Sequence, residues 1–91
     1  MNKDRRKAID ALISELEELK GKLEDIKSQA EDLKSEEEDY RDNMPENMQS
    51  SDRYYAAESA CDELDSAVSE LESAIDSIDS VVSSLGDAKG E

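Results

Sequence analysis

The chain of 91 residues has no histidine, tryptophan or phenylalanine, a single cysteine, a single proline and three glycines. Each shortage closes a class of chemistry or architecture. Without histidine there is no Ser–His or Cys–His pair to activate a nucleophile. The lone Cys61 permits no intramolecular disulfide, which fits a reducing, intracellular compartment. None of the three glycines sits in a phosphate-cradling loop. Three tyrosines are the only aromatics, so a core of ordinary globular thickness is not expected. The basic segment Lys3–Lys7 is not followed by an apolar run of signal-peptide or membrane-spanning length. These absences lead us to expect a soluble, cytoplasmic, non-enzymatic protein without a cofactor.

What is present is a repeat. Ser59–Asp65, Ser66–Glu72, Ser73–Asp79 and Ser80–Gly86 are four copies of one seven-residue pattern. Apolar residues alternately three and four apart mark a helix packed along a seam against another helix. The first part of the chain has the same period at Ile9, Leu12, Leu16, Leu19, Leu23, Ile26, Ala30 and Leu33, continuing to Glu37 and Tyr40. The second part places Tyr54, Ala57, Cys61, Leu64, Val68, Leu71, Ile75, Ile78, Val82 and Leu85 on its seam. A thiol on such a seam is expected to be structural and unreactive.

Pro45 lacks an N–H and biases Met44 away from the helical region, so the first helix must end before it. Ser50 or Ser51 can cap a second helix, Asp52 suits its first turn, and Gly86 and Gly90 are expected to end it. The fold expected is therefore all-α: one antiparallel two-helix hairpin over residues 1–91. Its helices fall at about 4–41 and 52–86, with a loop at about 42–51. Setting Tyr40 against Tyr54 brings Leu33 to Cys61, Ile26 to Val68, Leu19 to Ile75 and Ile9 to Leu85. In that register Lys20, Lys27 and Lys34 face the line of Glu58, Asp65, Glu72 and Asp79. A second apolar line on the later helix, Ala60, Ala67, Ala74 and Val81, gives three apolar positions per heptad. That is the mark of a bundle helix, and it predicts a homodimer of hairpins forming a four-helix bundle.

The net charge is −15. Residues 1–40 carry eight basic and thirteen acidic side chains, whereas residues 54–91 carry one and ten. Such a surface disfavours nucleic acid and anionic membrane and favours a basic protein. A helix of about 33 residues is ~50 Å long. A dimer bearing roughly thirty negative charges over that length approaches the linear charge of duplex DNA, about one per 1.7 Å. Nucleic-acid mimicry follows as an expectation, with Asp62, Glu63, Glu70, Glu72, Asp76 and Asp79 as the contact residues. Acidic clusters such as Glu36–Asp39 match no calcium-loop spacing and read as solvated helix surface.

The connection between the helices concentrates amides, arginine and tyrosine, which are effective recognition groups at an exposed tip. Arg53 and Tyr55 are the candidates there. Two alternatives compete with mimicry. One is a structural scaffold whose charge serves only solubility. The other, weaker, is a nucleotide-binding sponge using the loop.

The segment from Asp39-Tyr40-Arg41-Asp42-Asn43-Met44-Pro45 through Ser51-Asp52-Arg53-Tyr54 to Cys61-Asp62-Glu63-Leu64 resembles the middle of uncharacterised small acidic coiled-coil proteins of phage and bacterial genomes. The resemblance covers about a quarter of the chain. It implies a phage or mobile-element setting, in which such proteins inhibit nucleases or other nucleic-acid-binding enzymes of the host. It assigns no role to any residue.

Overall fold

The computed structural model describes residues 1–90. The described residues form two long helices joined by a short helical turn: α1 (Lys3–Asp42), a 3₁₀ turn (Glu46–Met48) and α2 (Asp52–Lys89). They form no strand. The two helices pack against each other as a hairpin. Their contacts divide into two compact units, Met1–Asp25 with Leu71–Glu91 and Ile26–Glu70. We call the first the open end and the second the loop end.

Local chemistry explains the helix limits. The Asn2 side-chain oxygen accepts a hydrogen bond from the Arg5 N–H at 2.8 Å, satisfying a donor in the first turn of α1. Asn43 N–H still reaches the Asp39 carbonyl at 3.0 Å, but the next donor in line shifts back to Arg41. Pro45 then begins the 3₁₀ turn, its carbonyl accepting from Met48 N–H at 2.8 Å. Ser51 caps α2: its hydroxyl donates to the Met48 carbonyl at 2.6 Å and accepts from Tyr54 N–H at 3.2 Å. Of the two serines expected as caps, Ser51 takes the role.

The end of α2 differs from expectation. The helix passes through Gly86 and continues to Lys89. No glycine has a positive φ, so Gly86 does not form the left-handed cap that would stop the helix there. Gly90 N–H closes the last turn on the Gly86 and Asp87 carbonyls.

Within the open end, Lys89 bonds Asp10 at 2.7 Å and Lys20 bonds Asp79 at 2.8 Å. Ten residues forward along α1 thus match ten residues back along α2, which defines an antiparallel pair. Within the loop end, Lys34 bonds Asp65 at 2.7 Å. The lysine line of α1 therefore meets the acidic line of α2, as the heptads require.

The seam itself is only half as expected. On α1, Ile9, Leu16, Leu23 and Ala30 are half-buried, and so are Lys20, Lys27 and Lys34. The other seam line stays largely outside, with Leu12 at 48 %, Leu19 at 46 %, Ile26 at 50 %, Leu33 at 54 % and Tyr40 at 47 % exposed. Each lysine lies one residue beyond a member of that line, about 100° further round the helix. α1 thus turns toward its lysine edge and lays the lysine stems against α2. The cost is that a line of large apolar side chains remains in water.

Full burial is confined to the loop end, at Met44, Ala57 and Cys61. Met44 folds inward where the chain reverses, and half-buried Met48 lies near it in sequence. Among the described residues the open end holds no buried side chain.

Candidate functional site

The acidic residues singled out from sequence are all exposed on α2. They fall into two groups by what they touch. Asp79 is taken up by Lys20, and Glu72 is also engaged within the chain. The proximity of Asp79, chiefly through its hydrogen bond, holds the Lys20 ammonium above its ordinary pKa. Asp65 does the same for Lys34. Asp79 and Asp65 belong to the ladder that joins the helices.

Asp62, Glu63, Glu70 and Asp76 form the second group. No ion pair among the described residues engages them. Glu63 and Glu70 are seven apart and share one line of α2, and Asp62 lies about 100° round the helix from Glu63. Asp62, Glu63 and Glu70 belong to the loop end, whereas Asp76 belongs to the open end. Between Arg53 and Lys89 the sequence of α2 contains nine acidic residues and no basic one, so no cation of α2 itself neutralises them.

The loop candidates separate. Arg53 lines a shallow cleft of about 390 Å³ with Tyr40, Asn43, Met44, Pro45 and Met48. It is the cleft's only cationic lining residue, set among an amide, a phenol and two thioethers. Tyr55 is not part of that cleft. It is 56 % exposed and its ring stands edge-on to Tyr54, with centroids 6.0 Å apart. The arrangement offers adaptable contact surface but no paired acid and base.

Cys61 is buried. Burial raises its thiol pKa, and nearby Glu38, Glu37 and Asp42 add to the effect against the opposing pull of Arg41. The thiolate, which is the reactive form, is therefore disfavoured. Among the described residues no group of three or more histidine, cysteine, aspartate or glutamate side chains could hold a metal ion. No helix of the described residues is long and apolar enough to cross a membrane.

One feature of the surface was anticipated from sequence only at Val81, which lies on the second apolar line of α2. The open end has an apolar groove lined by Leu12, Leu16, Leu19, Val81 and Leu85. Leu12, Leu16, Leu19 and Leu85 were visible as seam positions, which heptad spacing alone assigns to the interior of the hairpin. Searches of protein-family models, curated proteins and solved structures return no match to this chain.

Proposed function

We propose that this chain is a non-enzymatic binding module that docks on a basic protein surface through the outer acidic face of α2. The observation that carries the reading is the exposure of Asp62, Glu63, Glu70 and Asp76 on a helix without a cation between Arg53 and Lys89. A surface of one sign costs self-repulsion, and a partner of opposite sign relieves it. The partner class is a nucleic-acid-binding protein of a bacterial host. The chain occupies its basic channel in the cytoplasm as a phage-type inhibitor of host defence, in the manner of a nucleic-acid mimic. Glu72 and Asp79, engaged within the hairpin, contribute less than the four outer carboxylates. Arg53 and Tyr55 add loop contacts.

The working form is a homodimer of hairpins arranged as a four-helix bundle. The half-exposed apolar line of α1 supports this, since a soluble chain gains by covering it. The same observation favours a second reading, a scaffold whose business is self-assembly and whose charge only maintains solubility.

A pull-down from nuclease-treated bacterial lysate separates the two. The wild-type chain is compared with Asp62→Asn/Glu63→Gln/Glu70→Gln/Asp76→Asn, each washed at low and high salt. The inhibitor reading expects a basic protein retained by the wild type, released at high salt and absent with the neutralised variant. Recovery of the chain alone, or equal retention by the folded variant, would sink it and leave the scaffold.

A further inference from the structure

The open end exposes apolar surface beside a rim of mixed charge. Leu12, Leu19 and Val81 stand about half in water, and their groove has a volume of about 570 Å³. Glu15, Glu18 and Lys22 edge it from α1. We infer that a second copy of this chain fills this groove, its α1 lying antiparallel on α1 about a two-fold axis through Leu19. The inference rests on the dimer proposed above and assigns it a face, a direction and a register.

Three observations single out this occupant. The first is area. The chain exposes 6482 Å² at 10.1 kDa, whereas a folded monomer of that mass exposes about 5,300 Å². The excess of about 1,200 Å² exceeds the roughly 800 Å² that each partner contributes to a standard interface. A second copy can therefore form an ordinary dimer within the surplus.

The second is charge. Glu15 and Lys22 are seven residues apart, so they share a line of α1 next to the line of Leu12 and Leu19. Glu15 precedes Leu19 by four residues and Lys22 follows it by three. When Leu19 meets its symmetry mate in an antiparallel pair, Lys22 of each copy comes opposite Glu15 of the other. The two-fold axis makes that pair twice. Parallel docking about a two-fold axis would instead set the Glu15–Lys22 line of one copy against the Leu16–Leu23 line of the other, leaving both charges without a partner. The rim is thus self-complementary in one direction only. A strongly basic partner would find Lys22 against it and better sites on the outer face of α2.

The third is the flank of α2. Ser77 and Ser84 lie four residues before and three after Val81, on the line next to it. In the loop end that same heptad line carries Glu63 and Glu70. The acid of α2 is therefore replaced by serine beside the groove, where a second copy of an acidic chain would otherwise be repelled.

Sedimentation of the full chain tests the inference, with helicity followed by circular dichroism to confirm that each variant folds. Glu15→Lys and Lys22→Glu each turn two attractive contacts into repulsive ones, and each is expected to weaken the dimer roughly tenfold. The double variant Glu15→Lys/Lys22→Glu restores both pairs with exchanged signs and is expected to recover wild-type association. In a Cys61→Ala background, Leu19→Cys is expected to oxidise to a covalent dimer. A dimer that is indifferent to the single reversals, or not rescued by the double one, and that fails to cross-link through residue 19, overturns this face and register while the dimer itself stands. A chain that remains monomeric at every concentration overturns both.

Discussion

The loop end and the open end use the same heptads to different effect. The loop end holds every buried side chain of the described residues, Met44, Ala57 and Cys61, and no glycine. The open end has no buried side chain among the described residues and holds Gly21, Gly86 and Gly90. Gly21 and Gly86 both lie inside helices, where they lower helix propensity. One region is thus closed by packing around a chain reversal. The other relies on helix continuity and two lysine–aspartate bonds, with its apolar groove still open. The lesson is that a repeat of constant period does not produce constant burial. Side-chain volume and the nearness of a turn decide where a two-helix seam dries out.

The largest effects should come from breaking the closed end. Met44 is 8 % exposed, and Met44→Ala is expected to cost about 2–5 kcal/mol of stability, measured by urea unfolding. Ala57 is 2 % exposed, and Ala57→Leu should cost about 1–3 kcal/mol by overpacking. Leu19→Ala at the open end, measured at concentrations that keep the chain monomeric, should cost clearly less than Met44→Ala. Equal losses at the two ends would erase the contrast. Removing the cap by Ser51→Ala should cost about 1 kcal/mol, because Tyr54 N–H loses its acceptor.

The next substitution strengthens the weak end instead. A β-carbon at Gly21 or at Gly86 meets nothing within 4 Å. Gly21→Ala and Gly86→Ala should each add about 0.5–1 kcal/mol. Hydrogen exchange should show the gain in protection chiefly within Met1–Asp25 and 71–90. A gain spread evenly over the chain would mean that the two ends open together.

Much of this contrast was hidden in the sequence for identifiable reasons. The helices, the reversal at Pro45, a serine cap at Ser50 or Ser51 and the meeting of the lysine line of α1 with the acidic line of α2 follow from period, capping chemistry and charge, all of which are local or repeat along the chain. The choice between the two seam lines of α1 does not. Whether Leu16 or Leu19 faces α2 depends on a rotation of α1 about its own axis. That rotation leaves no mark in a heptad spacing that offers both lines equally. Met44 was legible as a turn residue able to close the end of the helix pair, and it is buried there, although an irregular connection has no period from which to infer an inward side. The acidic candidates were legible as charge. Their division into ladder members and outer residues required the register, and Asp79 already pointed to it. Gly86 read as a stop because glycine favours the left-handed cap, yet nothing after it imposes that conformation and the helix continues.

The smallest effect concerns pH and also distinguishes the ends. Burial raises the Cys61 pKa in the folded chain above its ordinary 9.0. The unfolded thiol therefore ionises first, the folded chain holds more protons, and stability falls as pH rises above about 9. Lys20 and Lys34 have folded values raised above their ordinary 10.5 by Asp79 and Asp65. Their contribution is complete below that value and disappears only as pH climbs through the raised one. Between about pH 9 and 10.5 the thiol of the loop end is thus the first of these groups to act. Urea midpoints measured across that window should decline in the wild-type chain and decline less in Cys61→Ala, whereas Lys20→Met should leave the decline unchanged. If the slope persists undiminished in Cys61→Ala, the buried thiol is not its source. If Lys20→Met removes it, the loss begins at the open end, and the closed end is not where alkaline unfolding starts.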